Sequence, residues 1–143
     1  MPALYTTTAI SKGGRAGGKV ALTDGGLWYH TEHSKGLGGS GEGSNPEQLF
    51  ALGYANCFNS AVIFVATQKK LDASKAVVTC EVGIGRDDSG LGLSAKLTLS
   101  IPGMDRAQVQ ELIEAAHQVL DLVQQAIAFA SGYVRVGAPE HGV

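Results

Sequence analysis

The 143-residue chain carries 11 Lys and Arg against 13 Asp and Glu, a formal charge of -2, and 44% of its residues are hydrophobic. That mixture describes ordinary globular material long enough to bury a core, not a disordered tail. Cations are scattered and aromatics make up only 6%, so no basic stripe exists for phosphates and nucleic acid is not an expected partner.

The start, MPALYTTTAISKGG, has no charged segment followed by an apolar one, so no signal peptide is expected. The longest strongly apolar run, residues 61–66, is too short to span a membrane, and no membrane partner is expected. A cytoplasmic location is the expectation. In a reducing compartment two cysteines read as thiols rather than as a structural disulfide.

The first third reads as strands joined by glycine turns. LYTTTAI is rich in Thr, GGRAGG breaks it, KVALT resumes, DGG turns, and LWYHTEH follows. A glycine-rich loop, KGLGGSGEGS, covers residues 35–44. Asn45 then reads as an N-cap, Pro46 as the first helical residue and Gln48 as the partner that completes a capping box. Leu49, Phe50, Gly53, Tyr54, Cys57, Ala61, Phe64 and Val65 recur at helical spacing, which predicts a helix over 46–69 with Cys57 on its apolar face.

Two alternating strands are predicted next, around Val78–Cys80–Val82–Ile84 and Leu91–Ile101, with RDDSG between them. PGMD ends the sheet and Asp105 caps a second helix over 105–130. Its stripe is Val109, Leu112, Ile113, Ala116, Leu120, Val123 and Ile127. Gly132 closes that helix and YVRV is a last short strand. Hairpins without a βαβ rhythm indicate an α+β fold, and residues 1–143 read as a single domain.

Gly36, Gly38 and Gly41 spell a literal G-x-G-x-x-G. A dinucleotide site needs a helix opening inside the motif and an acidic residue about 20 positions on. The helix begins only at Asn45 and the residues at that distance are Ala61 and Val62, so a flexible loop is the better reading. His30 and His33, three apart on a strand, would point to opposite faces, and neither they nor His117 or His141 has zinc spacing to a cysteine pair. No metal is expected, and His117 beside the apolar stripe reads as a helix-interface residue. Cys80 alternates in phase with Val78, Val82 and Ile84, as a small hydrophobe would.

Cys57 has two readings, core packing and reactive thiol. A reactive thiol must be a thiolate, which needs a nearby cation or hydrogen-bond donors and access for substrate. Arg15 sits on the glycine turn KGGRAGG, and Glu47 at the start of the helix is suited to hold a guanidinium through a bidentate pair. Glu47 also suits a first-turn carboxylate complementing the helix dipole.

The segments LYTTTA, GGRAG, GLGGSGEGSNPEQLFALGYANCF, VGIGRDDSGLGLSAKL and PGMDRAQVQELIEAAHQV are collinear. Together they resemble the OsmC/Ohr family, specifically its organic hydroperoxide resistance branch. The resemblance implies an OsmC-like α+β fold: an intertwined homodimer with curved antiparallel sheets wrapped around two long helices. It implies a cysteine peroxidase that reduces organic hydroperoxides, including those of fatty acids, to alcohols without a cofactor, recycled by an external dithiol of lipoyl type. By resemblance Cys57 is the peroxidatic cysteine, Arg15 activates it and Glu47 orients the arginine. The chain departs from the family after AAHQV, where a Cys-Pro with the resolving cysteine is replaced by Leu120 and Asp121. The alternative is a binding or redox-sensing protein with the fold but no turnover.

Glu47 and Cys57 are ten positions apart, about 15 Å of rise on a straight helix. An arginine held by Glu47 would meet the thiol only through a bend near Gly53 or in a site assembled from two subunits. The second arrangement fits an obligate homodimer and is the one expected.

Overall fold

The computed structural model describes the backbone of residues 2–131 and the side chains of residues 2–120. The expected strand YVRV and the closing Gly132 lie outside the described residues, as do the side chains of Val123 and Ile127. The described chain is α+β, with antiparallel sheets and two long helices, and it forms two compact units that meet in sequence between Leu49 and Phe50.

In the first unit, strands β1 (Ala9–Lys12), β2 (Gly18–Leu22) and β3 (Trp28–Thr31) form an antiparallel sheet in that order. Its register runs from Ala9 opposite Leu22 to Lys12 opposite Lys19, and from Gly18 opposite Thr31 to Ala21 opposite Trp28. β1 starts later than LYTTTAI suggested. A strand persists only where a neighbour supplies ladder hydrogen bonds, and β2 gives way at Leu22 to a turn in which the Gly26 N–H donates to Asp24 Oδ1 at 2.8 Å. Upstream, Leu4 and Tyr5 are exposed. On one face of the sheet Lys19 Nζ lies 4.6 Å from the centre of the Trp28 ring, which meets His30 edge-on at 5.1 Å.

The glycine turn before β2 is folded tightly. A Cβ on Gly18 would come within 2.2 Å of the Gly14 carbonyl oxygen and 2.7 Å of Thr31 Oγ1, so only glycine fits there. After β3 the chain loops out and returns to the strand it left. Thr31 bridges Ser44 in parallel, Ser44 N–H donates to His30 O at 2.8 Å, and Glu32 N–H donates to Ser44 O at 2.9 Å. β3 therefore stops at Thr31, and strand alternation does not govern His33 as the sequence suggested. The loop contains a 3-10 turn at Lys35–Leu37 and is folded on itself, with Gly39 N–H donating to Ser34 O at 3.0 Å.

Helix α1 (Pro46–Gln68) begins with the capping box that Asn45 and Gln48 announce. Gln48 N–H donates to Asn45 Oδ1 at 2.9 Å, and Asn45 N–H donates to Gln48 Oε1 at 3.2 Å. The first turn of α1 belongs to the first unit, and the rest to the second.

The second unit adds a long hairpin of β4 (Val77–Asp87) and β5 (Gly90–Ser100), then α2 (Arg106–Ser131). The hairpin pairs Val77 with Ser100 through to Asp87 with Gly90, leaving Asp88 and Ser89 as the turn. The strands thus extend into the segment read as loop, because the turn satisfies itself locally: Ser89 N–H and Oγ–H both donate to Asp87 Oδ1, at 2.7 and 2.6 Å. Asp105 caps α2, accepting from Gln108 N–H at 2.9 Å. The core gathers Phe58, Ala61, Val62, Val65 and Ala66 of α1 against Leu112, Ala116 and Leu120 of α2, closed by Ala73 and Ile101. His117 meets the Phe58 ring edge-on at 5.1 Å, which makes it the expected helix-interface residue.

One expectation about α1 fails. Its buried side is Phe58–Ala61–Val62–Val65–Ala66, while Cys57, Phe50 and Phe64 are exposed, the two phenylalanines at 39% and 54%. The helix is apolar on nearly every side, so periodicity alone does not choose which side meets the core. By length and composition it is apolar enough to cross a membrane, more so than residues 61–66 alone implied, although its Phe58 side packs in a protein core.

Candidate functional site

Arg15 lies in the glycine turn between β1 and β2, and Glu47 in the first turn of α1. The two side chains meet fork to fork: Nη1 donates to Oε2 and Nη2 to Oε1, both at 2.9 Å. Thr31 Oγ–H donates to Gly14 O at 2.6 Å, which pins the turn beside the arginine. The pair is partly sheltered, with 31% of the Arg15 side chain and 13% of that of Glu47 exposed.

The hydrogen bonds from Arg15 hold the Glu47 carboxyl below the usual carboxylate range, against a smaller opposing effect of burial. Its own backbone N–H at the helix start and the charge of His33 act in the same direction as Arg15. Glu47 in turn raises the Arg15 guanidinium, so the cation is permanent. Two of the five guanidinium N–H donors are committed to Glu47, and among the described residues the other three have no hydrogen-bond partner.

Cys57 is exposed in the second unit, not buried as its spacing suggested. It follows the exposed Phe50 by seven positions and precedes the exposed Phe64 by seven, two turns of helix each way. Gly53, one turn earlier, has open space where a side chain would stand. The thiol therefore lies in an accessible apolar stripe. Cys80 is partly buried in β4 opposite Leu97, and burial pushes its thiol up, away from thiolate. The structure brings Arg15 and Glu47 together in the first unit and carries Cys57 in the second.

The Nδ1 of His33 is buried with no hydrogen-bond partner among the described residues. No spacing rule signals this, since the returning glycine loop sets its position.

The architecture has close counterparts. The family model of the OsmC-like protein matches residues 39–127. An organic hydroperoxide resistance protein of Xanthomonas axonopodis pv. citri is 45% identical over 118 residues, covering 81% of this chain and 82% of the relative. The crystal structure of an organic hydroperoxide resistance protein from Legionella pneumophila superposes with a TM-score of 0.77 at 40% identity, covering 82% of this chain and 86% of its own. That of OhrB from Bacillus subtilis gives 0.73 at 33% identity, covering 82% and 87%. Antiparallel sheets with two long helices are here the OsmC-like architecture. The chain belongs to the OsmC/Ohr family, on its organic hydroperoxide resistance branch.

Proposed function

We propose that the protein defends against peroxides as a thiol peroxidase that reduces organic hydroperoxides to alcohols. The observation that carries the reading is the bidentate Arg15–Glu47 pair, a cation fixed in orientation with donors left over. The relatives named organic hydroperoxide resistance proteins supply the substrate class. The Cys57 thiolate attacks the distal peroxide oxygen, the O–O bond breaks, and the departing alkoxide takes a proton to leave as alcohol. Sulfur is oxidised by two electrons to a sulfenic acid. Arg15 favours the thiolate and the charge on the leaving oxygen, and Glu47 orients Arg15. The exposed apolar stripe around Cys57 favours greasy hydroperoxides over hydrogen peroxide.

The chain has two cysteines, and position 120 is a buried leucine, so recycling falls to an external dithiol of lipoyl type. Its first thiol displaces water from the sulfenic acid, and its second releases Cys57 as thiol. The protein acts as a homodimer in the cytoplasm, with the exposed side of α1 covered by a second copy and Arg15 and Glu47 offered to the partner's thiol. The exposure of Phe50 and Phe64 on that side supports this assembly.

The test is consumption of cumene hydroperoxide with dithiothreitol, then with a dihydrolipoyl thiol. Cys57→Ser is expected to abolish turnover and Cys80→Ser to leave it largely intact. Stoichiometric oxidation without turnover would replace the enzyme with a redox-sensing or binding protein of the same fold. Mixing Arg15→Ala with Cys57→Ser subunits is expected to restore activity, and a dimer without recovery would confine each site to one chain.

A further inference from the structure

Gly53 lies inside α1, where no left-handed φ requires a glycine. After proline, glycine is the least favourable residue for a helix interior. No close approach requires it either. Outside the helix backbone and the two adjoining residues, a Cβ at position 53 would meet nothing within 4 Å among the described residues. Helix stability alone favours alanine at this position, yet the position is bare.

The bare position faces the thiol. Residues four apart share one side of a helix, with Cβ atoms about 5–6 Å apart, and a helical side chain leans towards the N-terminal turn. Cys57, four positions after Gly53 and exposed, thus leans over the turn that Gly53 leaves empty. Phe50, three positions before Gly53 and exposed, marks the far end, its ring 5.6 Å from that of Tyr54. The result is a notch with helix backbone as its floor, the thiol at one end and an aromatic ring at the other. Neither Phe50 nor Cys57 reaches within 4 Å of the place a Cβ would take.

We propose that Gly53 is a specificity-determining position: the side chain it lacks leaves the space in which the organic group of the hydroperoxide lies while Cys57 attacks. The substrate rests on the peroxidase reading; the notch rests on α1 alone. Attack is in line with the O–O bond, with sulfur about 3–3.5 Å from the distal oxygen at the outset. Sulfur gains that oxygen, the O–O electron pair goes to the departing oxygen, and that oxygen takes a proton. The departing half projects beyond the distal oxygen, so its carbon group stands about one helical turn, ~5.4 Å, from the thiol. That is the spacing between Cys57 and the empty position 53. Hydrogen peroxide carries no such group and does not use the space. The notch therefore separates organic hydroperoxides from hydrogen peroxide by room, where Phe50 and Phe64 do so by greasiness.

The experiment compares the parent protein with Gly53→Ala and Gly53→Leu, both of which favour helix. In Gly53→Leu, kcat/KM for cumene hydroperoxide is expected to fall at least tenfold more than kcat/KM for hydrogen peroxide, with Gly53→Ala in between. An unchanged ratio between the two peroxides overturns the proposal. So does a Gly53→Ala protein that sediments as a monomer where the parent is a dimer, because the glycine would then serve the contact between subunits. Alkylation of Cys57 reads the same space without peroxide chemistry. In a Cys80→Ser background, Gly53→Leu is expected to slow N-ethylmaleimide more than the smaller iodoacetamide, and an equal effect on both reagents overturns the proposal. If the alkylation ratio shifts while the parent turns over no peroxide, the notch beside Cys57 is upheld and it is the peroxidase reading that fails.

Discussion

Helices α1 and α2 contribute to the same core in opposite styles. α2 presents Leu112, Ala116 and Leu120 on one side and exposed Glu111 and Glu114 on the other, so one face is committed to the core and the other to water. α1 buries Phe58, Val62 and Val65 yet leaves Phe50 and Phe64 exposed, and Cys57 lies between them on that exposed side. An amphipathic helix specifies one packing, whereas a helix apolar all round specifies a core and a second contact. Placing the candidate thiol on the second side ties its chemistry to whatever meets that side.

The sharpest way to break the comparison is to cut each helix on its own side. Leu112, fully buried, should cost about 2–5 kcal/mol of unfolding free energy when changed to Ala. Urea denaturation measures it, and a loss under ~1 kcal/mol would mean that α2 is not committed to the core. Phe64→Ser on the exposed side of α1 should change that free energy little at low protein concentration. Its expected effect is on association, read as a shift from dimer to monomer in sedimentation; an unchanged dimer would place the second contact elsewhere.

The starts of the helices compare at smaller scale. Glu47 is held below its ordinary range, so its contribution to stability is complete above the unfolded carboxylate value and is lost as pH falls through the depressed folded one. Glu47→Gln should therefore be less stable than the parent at neutral pH, with the gap closing in acid; a gap that widens would contradict the sign. Asn45→Ala should remove about 1 kcal/mol through the lost cap, visible as a lower thermal midpoint without loss of helix content.

The sequence made the helix starts legible because capping is a conversation between near neighbours: Asn45 and Gln48 at one end, Asp105 and Gln108 at the other. The Arg15–Glu47 pairing was legible from charge and the glycine turn. The facing of α1 was not, because Phe50, Phe58 and Phe64 look alike until a partner chooses among them. β1 was placed too early because strand propensity marks residues 4–10 without showing where β2 ends.

The stacked Trp28 has an optical consequence. It is the chain's single tryptophan, and it belongs to the three-stranded sheet, with a lysine over its ring and a histidine at its edge. Tryptophan emission therefore monitors the first unit alone, while far-ultraviolet ellipticity is dominated by α1 and α2. Melting followed by both signals at once measures whether the sheet carrying Arg15 and the helices lose order as one cooperative body. Two separated transitions would mean that the arginine's support can dissolve while the helix holding the thiol stands.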